Sequence, residues 1–294
     1  MPPLVLYATT WTGDPIAIVA ILAAAGLYAW GLVRLRGRGI RWPLRRALAF
    51  YGLGLGSYAW VSFGFLGAYS TDLRWAFTTR VALLLLVVPA LVALGRPLVL
   101  ARAAMSERGV LRLDGFLRSR PLRIMGNAVF EPLFSLALFL AFLTPLAGLV
   151  RTNPDAQWVI SLVIPVIGLL TILPIFENTA RHTSFFVMVE FVLAFAAFLF
   201  DSIPGIVLRL SESVLDGIPA PIGMTAAWFP GPLRDQQLSG DLLWFLAELL
   251  DIPILIVLII RWNRIDRREA KSLDDLSDEE MAVLTREHLR GPAR

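Results

Sequence analysis

The sequence predicts an all-α, polytopic membrane bundle of about seven transmembrane helices, with the N-terminus outside and the C-terminus in the cytoplasm. Three observations carry that reading. Hydrophobic residues make up 57% of the 294-residue chain and charged residues 17%, against about 25% charge in an ordinary soluble domain. Seven segments approach the run of about 20 apolar residues that a bilayer core requires. Arginines gather in every second connection between those segments.

The seven segments run over 16–35, 47–69, 75–94, 128–150, 157–176, 184–203 and 241–262. None alternates with the period of two that marks a barrel strand. Backbone groups in lipid must be paired within their own segment, which leaves helices. Gly52, Gly54, Gly56, Gly64 and Gly67 permit close helix contact, and Pro89, Pro145, Pro165, Pro174 and Pro253 predict kinks.

Orientation follows from the arginines. The first connection holds Arg34, Arg36, Arg38, Arg41, Arg45 and Arg46. The third holds Arg96, Arg102, Arg108, Arg112, Arg118, Arg120 and Arg123, and Arg264, Arg267, Arg268 and Lys271 follow the last segment. The alternate connections carry only Arg74, Arg151, Arg209 and Arg234. The basic side is cytoplasmic. Trp11, Trp42, Trp75, Trp158, Trp228 and Trp262 fall near the expected membrane ends. Residues 1–263 therefore form the transmembrane domain and 264–294 a polar cytoplasmic tail, where Met281, Leu284 and Leu289 would line one face of a short helix. Residues 1–14 show no basic region or cleavage motif, so the first span is read as the insertion signal. The Pro- and Gly-rich connection 201–240 is either a cap over the outer mouth or a solvated connector.

Composition also excludes function classes. The chain is basic, with net charge +4, but its arginines flank apolar spans, where they meet lipid headgroups rather than nucleic acid. Cysteine is absent, which removes disulfides and thiolate ligands. His182 and His288 are the two histidines, too few for the usual copper or zinc donor sets. No phosphate loop and no Ser/His/Asp grouping occurs, so no enzyme is expected. The lipid bilayer and a membrane-protein partner are.

Charges at membrane depth cost about 2.5–3.5 kcal/mol on insertion scales and need a partner or a task. Arg80, Glu131, Glu190, Glu248 and Asp251 are such charges. Depth along the helices suggests Glu248 as the partner of Arg80, ahead of Asp251 or Glu190. A proton or ion site built from the carboxylates is the alternative.

Several stretches resemble the CtaG-like family of bacterial cytochrome c oxidase assembly proteins. Asp235, Gln236, Gln237 and Gly240 are followed by Trp244, Glu248 and Pro253, then by Trp262, Asp266, Arg268, Glu269 and Ala270. The third span ends Pro89-Ala90-Leu91-Val92-Ala93-Leu94-Gly95-Arg96-Pro97-Leu98, and an Arg41-Trp42-Pro43 turn precedes the second. The resemblance implies a multi-pass protein of the bacterial inner membrane that assists oxidase biogenesis by contact with an oxidase subunit or a copper donor. It also implies copper held by histidines in the third and later spans. Trp75, Thr78, Thr79 and Arg80 stand there instead, with Asp155 and Gln157 at the start of the fifth span and Glu190 in the sixth. No cofactor is therefore expected. A permanent accessory subunit of a large membrane complex and a small proton-coupled transporter are the alternative readings.

Overall fold

The computed structural model describes residues 2–125, 130–177, 184–218 and 226–274. Among them the secondary structure is helical. A short α1 (Leu4–Thr9) precedes α2 (Pro15–Gly37). Asp14 caps α2 by accepting the Ala17 amide at 2.9 Å, and Pro15 occupies the first turn, where its missing N–H costs nothing. Helices α3 (44–63), α4 (Phe65–Tyr69) and α5 (Arg74–Leu94) follow. Three shorter helices come next: α6 (Pro97–Ala104), α7 (Glu107–Leu117) and α8 (Arg120–Met125). The rest of the chain is α9 (Phe130–Ala141), α10 (Pro145–Thr152), α11 (Pro154–Glu177), α12 (Ser184–Leu210) and α13 (Pro232–Asp274).

Four described helices are long and apolar enough to cross a membrane: Pro15–Gly37, Arg74–Leu94, Pro154–Ile172 and Phe191–Leu210. A fifth is counted if α9 and α10, bent by 80°, form one crossing. That bend replaces the straight span expected over 128–150. Pro145 forces Thr144 into extended backbone (φ −121°, ψ 159°), so the helix must stop and restart. Helix α3 is diluted by Gly52, Gly54, Gly56, Ser57 and Tyr58 and ends at Gly64. The last expected span lies inside α13, which begins at Pro232, and α12 continues to Leu210.

Helix α5 is the axis of the bundle. It is 61% buried over a membrane-length window, against 17–28% for the other three. Its Val81, Leu84, Leu85 and Val88 meet Tyr58 and Val61 of α3, Phe139 of α9, Ile164 of α11 and Leu243 of α13 in the main core. The outer helices present apolar side chains outward, as on α2 at Val19, Leu22, Leu27 and Val33, the pattern expected where lipid is the solvent. Pro89 denies Leu85 its helical hydrogen bond, and the segment Leu83–Val87 widens into a π-turn. Gly168 of α11 packs against that Leu85 carbonyl and the Pro89 ring, where any Cβ would collide. Gly205 and Gly240 do the same for α12 and α13, each facing the other's carbonyl.

Candidate functional site

The buried polar residues converge at one end of the bundle. Arg80 of α5 is 3% exposed. Its guanidinium donates to the Asp14 carboxylate at 3.2 Å, to Gln157 Oε1 at 2.7 Å, to Ser70 Oγ at 3.3 Å and to the Ser161 hydroxyl. Ser161 in turn donates to Asp14, and the Tyr58 hydroxyl donates to the Ser161 carbonyl at 2.6 Å. Five elements thus meet at one arginine: the start of α2, the turn after α4, α5, α11 and, through Tyr58, α3.

The expected pairing of Arg80 with a carboxylate of the sixth or seventh span is corrected here: its partner is Asp14. Depth along α13 misled because the chain before α2 folds in, so that its capping aspartate reaches Arg80. Glu248 is half-buried and accepts from the Trp244 indole one turn earlier on its own helix. The side chains of Glu131, Glu190, Asp251 and Pro253, together with His182, His288 and the tail helix expected at 281–289, lie outside the described residues. Trp75, expected at the membrane interface, is 8% exposed and packs on Phe65.

A second centre adjoins the first. Arg74 binds Asp216 at 2.8 Å and Asp235 at 3.5 Å, while Arg151 binds Asp216 at 3.1 Å and donates to the Thr71 carbonyl. Gln157 joins the two centres by donating to the Arg151 carbonyl at 2.9 Å. Three arginines (74, 80, 151) face three aspartates (14, 216, 235), so the network is formally neutral. Asp235 also accepts the Arg74 and Trp75 amides at 2.8 and 3.1 Å. These are first-turn donors that no intrahelical carbonyl can satisfy. Burial pushes the Asp235 carboxyl above the usual aspartate value, against the opposing pull of those amides and of the Arg74 guanidinium. Gln236 clamps the segment after α12, accepting from Leu215 N at 2.7 Å and donating to Ser213 O at 2.9 Å. With Trp228 and Phe229 packed edge-on against Tyr69, and Trp228 also tilted against Phe65, the described parts of 201–240 form a cap rather than a solvated connector.

Beside Arg74 and Arg151 lies a cavity of about 20 Å³, also lined by Thr78, Asp216, Gln236 and Ser239, which is room for about one water molecule. Among the described residues no three His, Cys, Asp or Glu side chains are grouped as metal ligands would be. The position where the family resemblance implies a soft-metal ligand holds a guanidinium already neutralised by Asp14. These residues do not fit a copper centre.

Sequence reasoning singled out Arg80 but missed Asp14, Ser70, Arg74, Arg151, Ser161 and Asp216 as its setting. A signal was present, since Asp14-Pro15 is a helix-start pair.

The fold and network define a polytopic helical membrane protein whose polar interior is engaged in joining helices. The chain belongs to the cytochrome c oxidase caa3 assembly factor (Caa3_CtaG) family, whose sequence model matches residues 26–265. Similar proteins are uncharacterized protein Mb0105 of Mycobacterium bovis and MT0111 of Mycobacterium tuberculosis, each 25% identical over 96% of this chain. ML1998 of Mycobacterium leprae is 25% identical over 94% of it. The chain spans 43% of the length of each of these relatives. No solved structure matches it.

Proposed function

We propose that this chain is a non-catalytic assembly factor of a bacterial cytoplasmic membrane that assists biogenesis of a cytochrome c oxidase by protein–protein contact. It crosses the membrane seven times, with the N-terminus outside. The observation that carries the reading is the family match over 26–265 on a chain whose family-resembling motif residues do structural work. Asp235 caps α5, Gln236 clamps the cap segment, and Gly240 lets α12 and α13 touch. The partner is an oxidase subunit or a protein that supplies its copper.

Deletion of the gene in its host tests this. Spectroscopic haem and copper content of the oxidase should fall, and excess copper in the medium should not restore it. Restoration by copper alone would overturn the contact mechanism. Transient capture of oxidase subunits by crosslinking is the expected mode of association, and recovery of the chain as a stoichiometric part of the mature enzyme would make it an accessory subunit instead. The donor set also predicts no tight copper or zinc in the membrane domain. Elemental analysis after a brief chelator wash should find less than stoichiometric metal.

A further inference from the structure

Far along α2 from Asp14, a cleft of about 460 Å³ opens between α2 and α7. Trp30 and Arg34 line it from α2, one turn apart, and Ser106, Arg112, Leu113 and Phe116 from the α7 side. Two arginines and no carboxylate face the space. Arg34 lies over the Trp30 ring at 5.4 Å, which holds its guanidinium at the wall by cation–π attraction. Both arginines are exposed, and neither has a carboxylate partner among the described residues.

The walls are firmly placed. Arg38 donates to the Ala103 carbonyl at 2.7 Å, tying the end of α2 to α6. Arg102 pairs with Asp114 at 3.0 Å, tying α7 to α6. Ser106 caps α7 by accepting the Gly109 amide at 3.4 Å. On the outer surface of α7, Leu111 and Phe116 are 72% and 62% exposed and interleaved with Arg108 and Arg112, so apolar and cationic groups stand side by side there.

We propose that this cleft binds the phosphodiester headgroup of an anionic glycerophospholipid, with Arg34 and Arg112 on the phosphate and Leu113 and Phe116 against the start of the acyl chains. Paired guanidinium forks suit phosphate oxygens, and an indole belongs at headgroup depth. Only the choice of leaflet, the cytoplasmic one, rests on the orientation proposed above.

Native mass spectrometry of the detergent-purified full chain, with phosphatidylglycerol and phosphatidylcholine of matched acyl chains, tests the site. The wild type should retain phosphatidylglycerol at least tenfold better. Arg34→Gln/Arg112→Gln should abolish that preference, while Arg36→Gln/Arg118→Gln, an equal loss of exposed charge outside the cleft, should keep it. Equal retention of the two lipids, or equal effects of the two double variants, would overturn the proposal. So would displacement of the lipid by millimolar glycerol phosphate, which would mark a soluble anion as the ligand. A cysteine introduced at Gly115, where a side chain meets open space, reports the leaflet separately. Labelling from outside would overturn the orientation while leaving the binding result standing.

Discussion

Arg80 shows what a single residue can and cannot announce. Its depth in an apolar span marked it, since an arginine there needs compensation. Its partner was hidden, because Asp14 precedes the first span and so lies outside the apolar segments in which buried charges were sought. Breaking one side of such a buried pair costs about 3–5 kcal/mol, since the other charge is stranded. Asp14→Asn is an informative probe, because asparagine caps a helix as well as aspartate does and only the charge is lost. Asp14→Asn and Arg80→Met should each lower the melting temperature in detergent. The double variant should recover much of the loss, and Glu248→Gln should not couple to Arg80→Met at all. Additive losses for Asp14 and Arg80 would show that the pair does not act as a unit.

At the scale of the element, the helices over the expected apolar segments were legible, α1 and the short helices α6, α7 and α8 were not, and interruptions were legible only in part. Pro145 was read as a kink, yet its effect on Thr144 makes a break of 80°. The glycines of α3 were singled out, and Gly54 does sit against Val92 of α5. Gly168 carried no such signal, since its role comes from Leu85 and Pro89 about 80 residues earlier in the chain. Gly168→Ala should therefore destabilise by about 1–3 kcal/mol, the usual cost of overpacking. Gly26→Ala, whose added methyl meets nothing within 4 Å, should be neutral or mildly stabilising, because alanine is the better helix former. Thermal melts of the two variants side by side check the contrast, and equal effects would contradict the close approach of α11 to α5.

For the whole molecule, the arginine asymmetry predicts the side on which each connection lies, and its exceptions point to the site. Arg74, Arg151, Arg209 and Arg234 are the basic residues that the counting leaves in the alternate connections. Three of them are neutralised: Arg74 and Arg151 by Asp216, Arg74 also by Asp235, and Arg209 by Asp241 at 2.9 Å; Arg234 is exposed and donates to Gln237. Three of the four exceptions thus carry their own counter-charge, which a tally of arginines alone ignores. The topology itself is open to a direct check, because the chain has no cysteine. Single cysteines at Ser213 and Ser272 should react with an impermeant thiol reagent from opposite faces of the membrane. Reaction from the same face would show that the number of crossings is wrong.

The cap that Asp235 places on α5 has a consequence for the order in which the protein is made. Helix α5 leaves the ribosome about 160 residues ahead of the carboxylate that receives its first amides. Arg80 can find Asp14 at once, since that aspartate has already emerged. Arg74 and Arg151 must wait for Asp216 and then Asp235. Until α13 is in place the two guanidinium groups have one carboxylate, that of Asp216, to share. Helix α13 is therefore a latch on the helices made before it, and its arrival completes the charge balance of the network.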